Sequence, residues 1–373
     1  MYPRTASPSR DRRHLGLRGV RQALAHQQAL GRFKRVLGVE QAVAQLRVCY
    51  ACKSPGPARF PRVTEDGYVD SAVEEVAAEI LRLDPTGARW GAVLRHTYDM
   101  LYNGPETGRF RWSQLMKTEK THFGTVFEIN AQREFGFDGG DETDYRIAGH
   151  QVDAKWSQSD GGWMLPPEVF DEIALVATGS DPDAQFSLGL IRVVEAYRRE
   201  GANRDKKSSL NPVGRRSIKW LWRNAPMPAS ILLQLPDDVV EHIFDNRYGT
   251  QRVNRLFRAA EGRLVHRNTV RTVAMQLDDQ KRVRVNGGAR SALKPEGYII
   301  LSSYHAHLAK ALGVPEPDGK HYVSVRVAPG SSKDALIQGS RWKRASAEDP
   351  PCEAPTLPER GVREDGSDRA VDQ

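Results

Sequence analysis

The sequence predicts an α/β fold in which helices flank a mixed sheet, followed by a second, mostly helical region. Three observations support this prediction. Apolar residues recur at helical spacing in the first part of the chain. Two short alternating runs, separated by Gly149-His150, then indicate a β-hairpin. Helical spacing returns beyond residue 230, and 373 residues are enough for two domains with a sizeable core in each.

Helices are expected first. The first should begin at Asp70-Ser71, because Ser71 and Glu74 have the spacing of a capping box, and should end before Pro85. A second helix should stop at Gly104-Pro105. A third should contain Glu128, ahead of the predicted hairpin.

Two buried strands and a helix are expected after the hairpin. The apolar runs 173–178 and 186–193 predict the strands. The helix should begin at Pro212, a residue favoured at the first helical position, and continue through Trp222. The Pro-rich segment 225–229 should then link the two domains.

Short helices are predicted in the second region, near 237–244, 253–260 and 270–277. Asp278-Asp279 should cap a basic segment that follows them. Short helices before a basic one fit a helix-turn-helix, whose recognition helix enters the DNA major groove. The strand-like run 298–301 and a later one at 322–327 could form wings. The basic candidates for DNA binding are Lys281, Arg282, Arg284 and Arg290.

The composition is that of an ordinary globular protein, with 39% hydrophobic and 27% charged residues. No run of 18 apolar residues predicts a membrane span, and no apolar segment after the N-terminal arginines predicts a secretory signal. Three cysteines fit a reducing cytoplasm, which is the predicted location. Cys49 and Cys52 have C-x-x-C spacing but no matching second pair, so we expect no zinc site.

The net charge of +8 is distributed unevenly. Residues 71–200 hold 13 basic and 22 acidic residues, whereas residues 201–300 hold 19 basic and 9 acidic ones. Residues 1–70 are also basic, with 13 against 5. The basic segment predicts attraction to the phosphates of a nucleic acid. The alternative is that its arginines simply solvate helices.

Four residues around the hairpin suggest metal-dependent cleavage of a phosphodiester. On a strand, Asp153 and Lys155 share one face, because side chains alternate with period two. Asp144 precedes them by nine residues, and Glu128 lies on a separate helix. Mg²⁺ prefers oxygen ligands, and carboxylates with a nearby amine suit a reacting phosphate. An isolated D-x-K pattern, however, is usually just an exposed strand face.

The surrounding sequence resembles the NaeI family of type II restriction endonucleases. This resemblance covers roughly residues 68–330 as a long run of ordered motifs, so it is far more specific than D-x-K alone. The motifs lie at 117–121, 124–125, 128–130, 133–135, 144–149, 152–153, 161–168, 186–190, 201–205, 251–258 and 281–290.

The resemblance implies a Mg²⁺-dependent nuclease core of the PD-(D/E)xK type and a helix-turn-helix or winged-helix DNA-binding domain. It also implies a homodimer that cuts both strands of a short palindrome in double-stranded DNA and engages a second DNA copy. A DNA methyltransferase of the same specificity is implied as a functional neighbour. The positions that match the catalytic set of the family are Glu128, Asp144, Asp153 and Lys155, of which the three acids would bind the metal.

Four segments result. Residues 1–67 form a basic extension, either a disordered arm or a stretch ahead of the true start. Residues 68–224 form the endonuclease domain and residues 230–330 the DNA-binding domain. Residues 345–373 are polar and Pro-rich and are predicted to be disordered.

The leading functional hypothesis is therefore a site-specific DNA endonuclease. One alternative is a non-catalytic DNA-binding regulator whose first half only dimerises. Another is a nicking repair nuclease of related fold. The complete set of three acids and a lysine argues against the regulator, because DNA binding alone does not need it.

Overall fold

The computed structural model describes residues 70–201 and 206–357, which form two regions, each with its own sheet. The first region begins with helices, as its pattern predicts, and continues with a five-stranded sheet, four of whose strands were predicted. Its helices are α1 (Ser71–Leu83), α2 (Ala88–Tyr102), α3 (Gly104–Thr107), α4 (Lys117–Phe135) and α5 (Pro212–Arg216). Its strands are β1 (Tyr145–Ile147), β2 (His150–Trp156), β3 (Ile173–Ser180), β4 (Gln185–Arg192) and β5 (Lys219–Pro226).

The first sheet is mixed and has the strand order β1-β2-β3-β4-β5. The β1–β2 hairpin is antiparallel, β3 lies parallel to β2, and β4 and β5 continue antiparallel. The hairpin turns at Ala148 and Gly149, whose φ angles of 50° and 83° are both left-handed. Two left-handed residues make the tight turn whose twist matches that of paired strands.

Each face of this sheet is buried against a different cluster. On one face, Val152 and Ala154 pack with aromatic residues of α2 and α4, among them Trp90, Tyr98 and Phe123. The opposite face carries a second cluster, which consists of Trp163, Leu165, Val169, Ala174, Val176, Ile191, Val193, Leu210 and Ile218. Because both faces are covered, β3 and β4 are apolar along most of their length.

The second region contains short helices around a smaller sheet. Its helices are α6 (Ile231–Gln234), α7 (Asp237–Phe244), α8 (Gly249–Ala259), α9 (Arg267–Ala274), α10 (Asp279–Val283), α11 (Ala289–Leu293) and α12 (Ala306–Ala311). Its strands are β6 (Leu264–His266), β7 (Tyr298–Leu301), β8 (His321–Pro329), β9 (Ala335–Ile337) and β10 (Ser340–Arg344). The central strand β8 pairs with β6, β7 and β10, and β9 pairs with β10.

The predicted helix from Pro212 through Trp222 is wrong in its second half. Helix α5 ends at Arg216, and the residues from Lys219 to Pro226 form strand β5 instead. Trp220 and Trp222 lie two positions apart in β5, which pairs antiparallel with β4, and this tertiary pairing overrides the helical spacing. The segment predicted as a linker consequently begins inside a strand, and Met227 is buried in the first core.

Two further corrections concern chain ends and caps. Part of the predicted disordered tail, residues 345–357, is ordered, because Ala354 and Leu357 are buried against the second sheet. The remainder of that tail and the basic extension 1–67 lie outside the described residues, as do Cys49 and Cys52. Helix α1 is capped one position earlier than predicted, since Asp70 Oδ1 accepts a hydrogen bond from the Val73 amide at 3.1 Å.

The two regions touch directly through the chain between α3 and α4. The ring of Phe110 stacks on Phe244 at a centroid distance of 5.5 Å, and Arg111 forms an ion pair with Asp237. Helix α3 packs against α9 so closely that a methyl group on Gly104 would lie 2.1 Å from Thr272 Oγ1. The described part of the chain contains no helix with the length and apolar character needed to cross a membrane.

Candidate active site

Asp153 and Lys155 lie on the face of β2 opposite the aromatic core. Strand pairing places Asp153 beside Ala174 and Lys155 beside Val176 of β3. Asp153 is only 4% exposed, and its Oδ2 forms an ion pair with the Lys155 ammonium. Lys155 Nζ also donates a hydrogen bond to the Ala154 carbonyl oxygen at 3.2 Å. Neighbouring positions on one strand face thus hold a buried carboxylate and an amine together.

Asp144 is held against the same strand by the hairpin. It directly precedes β1, and its Oδ2 accepts a hydrogen bond from the Ala154 amide at 2.8 Å. Because Ala154 lies between Asp153 and Lys155, this bond fixes the Asp144 carboxylate beside both. The two-residue turn and the pairing of Tyr145 with Val152 therefore bring Asp144 close to Asp153, although nine positions separate them in the sequence.

Glu128 reaches the site from α4. The Tyr145 hydroxyl donates a hydrogen bond to the Glu128 carbonyl oxygen at 2.8 Å, which joins the helix to the hairpin. Burial raises the pKa of the Glu128 carboxyl to about 7. The negative charges of Asp144 and Asp153 also raise it, whereas Lys155 lowers it. The four candidate residues therefore act on one another electrostatically.

The pKa of the Asp153 carboxyl is raised as well. Burial raises the pKa of its carboxyl to about 6, Lys155 opposes this, and the charges of Asp144 and Glu168 add to it. Crowding of carboxylates with too little positive charge to neutralise them is a common arrangement at functional sites.

The donor set suits a hard divalent cation. The described ranges, 70–201 and 206–357, contain no three acidic, His or Cys residues already arranged around a single point. Apart from Lys155, Asp153 Oδ2 has no hydrogen-bond donor within those ranges. Mg²⁺ commonly uses one or two protein carboxylates together with water and substrate oxygens, so a preformed cage is not required. Asp144 and Asp153 fit that role, with Glu128 as a further oxygen donor.

Two comparisons with known proteins identify what the chain is similar to. The family model described as Restriction endonuclease NaeI matches residues 74–353. The Type II restriction enzyme NaeI of Lentzea aerocolonigenes is 46% identical over 306 residues, which cover 79% of this chain and 96% of that protein.

The chain belongs to the NaeI restriction endonuclease family. It is accordingly a site-specific DNA endonuclease and a hydrolase, as the resemblance in the sequence predicted. The NaeI family match extends beyond the nuclease sheet through β10 to residue 353. Both regions of the fold are therefore part of what this family shares.

The predicted DNA-binding residues of this NaeI-family chain fall into two groups. Lys281 and Arg284 are exposed. Arg282 Nη1 instead donates to Thr250 Oγ1 at 2.6 Å, and Arg290 Nε donates to the Ile300 carbonyl oxygen at 2.9 Å. The predicted recognition helix is also interrupted. Helix α10 has five residues, and Gly287 takes a left-handed φ of 74° before α11 begins.

The sequence reasoning missed Glu168 as a neighbour of the site. This exposed residue lies in the connection between β2 and β3, and its charge reaches Asp153. Local spacing gives no signal for this proximity, because the 14 residues between Asp153 and Glu168 include an irregular loop. Only the parallel crossover brings that connection back over β2.

Proposed function

We propose that the chain is a type II endonuclease that hydrolyses phosphodiesters in both strands of a short DNA palindrome with Mg²⁺. The observation that carries this proposal is the mutual electrostatic influence of Glu128, Asp144, Asp153 and Lys155 across one hairpin and one helix. The type II class is supported by the name of the 46% identical relative.

Each side chain has a distinct role in the proposed reaction. Asp144 and Asp153 would hold Mg²⁺, with Glu128 adding an oxygen. The bound metal supplies positive charge that polarises the scissile phosphate and favours ionisation of the attacking water. Lys155 stabilises the negative charge that develops on the phosphate. The raised pKa of Glu128 lets this carboxyl gain or lose a proton near neutral pH.

The strand arrangement supports the assignment of a PD-(D/E)xK core. An antiparallel hairpin carries Asp144 before its first strand and Asp153 and Lys155 on its second. Strand β3 then lies parallel to the catalytic strand, and helices cover the sheet. This is the mixed, helix-flanked sheet that the nuclease assignment predicts.

The second region supports a winged helix-turn-helix that engages another DNA copy. Helices α8 and α9 precede the basic segment, and β7 and β8 pair antiparallel after it. That order matches a helix-turn-helix followed by a wing. Lys281 and Arg284 are the exposed candidates for contact with DNA, and Arg282 and Arg290 would support the basic segment from within.

We further propose a homodimer, because a two-fold palindrome is matched by two identical subunits. A DNA methyltransferase of the same specificity would protect the DNA of the host. Action on DNA inside the cell agrees with the cytoplasmic location that the small number of cysteines predicts.

Plasmid and genomic DNA cleavage tests the proposal. We expect discrete double-strand fragments with Mg²⁺ and none with EDTA. Asp153→Ala should lower cleavage by about a thousandfold or more, because metal stabilisation of the transition state amounts to several kcal/mol. A matched control is Asp183→Asn, since Asp183 is an exposed residue at the far end of β3, where it accepts from Ser180. Its activity should equal that of the wild type.

Other outcomes identify the alternatives. Sequence-specific DNA binding without Mg²⁺-dependent cleavage would favour the non-catalytic regulator. Single-strand cuts at mismatches would indicate the nicking repair nuclease. Sequencing the ends of digested DNA gives the recognition site and the cut position, and sedimentation of the pure protein tests the dimer.

A further inference from the structure

Helix α5 borders the catalytic face of the first sheet. Strand pairing puts Ala174 and Val176 on the same face as Asp153 and Lys155. Ile218, two residues after the end of α5, packs in the cluster that contains Ala174 and Val176. The chain around α5 therefore covers β3 on the side where the candidate catalytic residues project.

Arg215 of α5 lies directly on the loop that follows the catalytic strand. Gly161, five residues beyond the end of β2, has a left-handed φ of 80°. A methyl group at Gly161 would lie 2.7 Å from Arg215 Nη1 and 3.0 Å from its Cζ. The guanidinium thus occupies the space where any other residue at 161 would place its side chain.

The position of α5 is fixed by its first turn. The Asn211 side chain accepts a hydrogen bond from the Gly214 amide at 2.8 Å. Gly214 itself packs so tightly that a methyl group there would lie 2.4 Å from the Tyr197 carbonyl oxygen. Arg215 therefore projects from a held helical turn towards Gly161.

The charge of Arg215 is not neutralised by a carboxylate of residues 70–201 or 206–357. Its Nε donates only a long bond, 3.5 Å, to the Leu210 carbonyl oxygen. Two other basic residues of this region do have acidic partners, because Arg192 pairs with Asp70, and Lys219 pairs with Glu74 at 2.7 Å. A half-buried guanidinium beside an acid-rich catalytic face is suited to an anion that must approach that face.

We propose that Arg215 binds a backbone phosphate of the cleaved DNA, next to the scissile phosphate. This inference rests on the proposed nuclease function. The planar guanidinium can contact a phosphate through two N–H donors, and its packing on Gly161 holds it at the loop that follows β2. The contact positions DNA against Asp153 and Lys155 and carries no sequence information.

The salt dependence of DNA binding provides the test. Labelled duplexes containing the mapped cleavage site are titrated with wild type and variants in EDTA, at several NaCl concentrations, by fluorescence anisotropy. Arg215→Gln should weaken binding and lower the slope of log Kd against log salt by about 0.9 per subunit, the value for one lost phosphate contact. Arg215→Lys should keep the slope, because it keeps the charge.

Two further variants separate this role from a structural one. Arg216→Gln, which changes the exposed neighbour in α5, should leave the slope unchanged. Gly161→Ala should lower the slope as Arg215→Gln does, because the methyl group displaces the guanidinium. In the Arg215→Gln background, the same change should have little further effect on the slope.

Some results would overturn the inference. They are an unchanged slope in Arg215→Gln, or a slope change in Arg216→Gln alone. A fall in affinity that follows only a lower melting temperature would also contradict phosphate binding. The nuclease proposal is judged separately, because wild-type cleavage with Mg²⁺ can succeed even if Arg215 has no effect on the slope.

Discussion

At the scale of single residues, His266 illustrates how position decides chemistry. It ends β6 and caps α9, where its Nδ1 accepts a hydrogen bond from the Asn268 amide at 3.1 Å. The pKa of the His266 imidazole is lowered to about 4, mainly by burial and also by the charges of His321, Arg95 and Lys320, whereas Asp318 opposes the shift. A proton on Nδ1 would remove the cap and add charge among cations.

The first prediction follows from the sign of this shift. Between about pH 6.5 and 4 the unfolded chain binds the His266 proton and the folded chain does not, so stability should fall as the pH falls through that window. His266→Asn keeps a capping side chain and should remove up to about 2 kcal/mol of this loss, a value reduced for partial exposure. Urea denaturation of the wild type and the variant at pH 7 and pH 5 measures this loss of stability.

The matched control for this prediction is His122→Asn. His122 is exposed on α4, so its replacement should leave the dependence of stability on pH unchanged. An equal loss of stability at pH 5 in the wild type and His266→Asn would show that other groups cause the acid sensitivity.

At the scale of elements, the basic segment of the second region holds its side chains in two different environments within a few residues. Helix α10 presents Lys281 to solvent, and Arg284 follows at its end. Arg282 and Arg290 turn inward and satisfy oxygens of the same region. Only part of this basic run is therefore free to contact DNA as proposed, because the remaining arginines hold the fold together.

The second prediction separates the exposed basic residues from those that face inward. Lys281→Ala and Arg284→Ala should each lower the salt slope of DNA binding by about 0.9 per subunit and leave thermal stability nearly unchanged. Arg290→Ala should instead destabilise the fold by about 1–3 kcal/mol, because the Ile300 carbonyl oxygen loses its donor. Anisotropy titrations and chemical denaturation measure the two effects. If Arg290→Ala changed the slope without loss of stability, Arg290 would belong to the DNA-binding surface.

At the scale of the whole molecule, the first region and the second region are in close contact. Helix α3 lies against α9. In the chain between α3 and α4, Phe110 stacks on Phe244 and Arg111 forms an ion pair with Asp237, and both of these partners lie in α7. A cavity of about 780 Å³ also separates parts of α2 and α4 from the start of α9. The direct contacts between the two regions are thus made by a small number of packed residues.

The third prediction concerns this contact. Gly104→Ala should destabilise the protein by about 1–3 kcal/mol, because its methyl group would overlap Thr272. Thr272→Ala should relieve part of that cost in the double variant, since it removes Oγ1 and Cγ2. Gly319→Ala is the matched control, because a methyl group there meets no atom within 4 Å. Thermal unfolding gives the melting temperatures of the wild type and of these three variants. Equal melting temperatures for Gly104→Ala and Gly319→Ala would contradict tight packing at Gly104.

The sequence by itself determined the elements whose signals are local. The hairpin and the alternation of β2 follow from steric rules that act within a few residues, although the turn lies at Ala148-Gly149, one residue before the predicted break at Gly149-His150. The placement of Asp153 and Lys155 on one face follows from the same alternation. The resemblance to the NaeI family, confirmed by the 46% identical relative, came from ordered motifs along the chain.

Tertiary structure alone decided the features that depend on distant partners. The segment from Lys219 to Pro226 is a strand because β4 offers it an edge, and residues 345–357 are ordered because the second sheet buries Ala354 and Leu357. Arg290 turns inward because the Ile300 carbonyl oxygen is within reach. In each case, the free energy comes from contacts between residues far apart in the chain, and spacing along the sequence cannot show them.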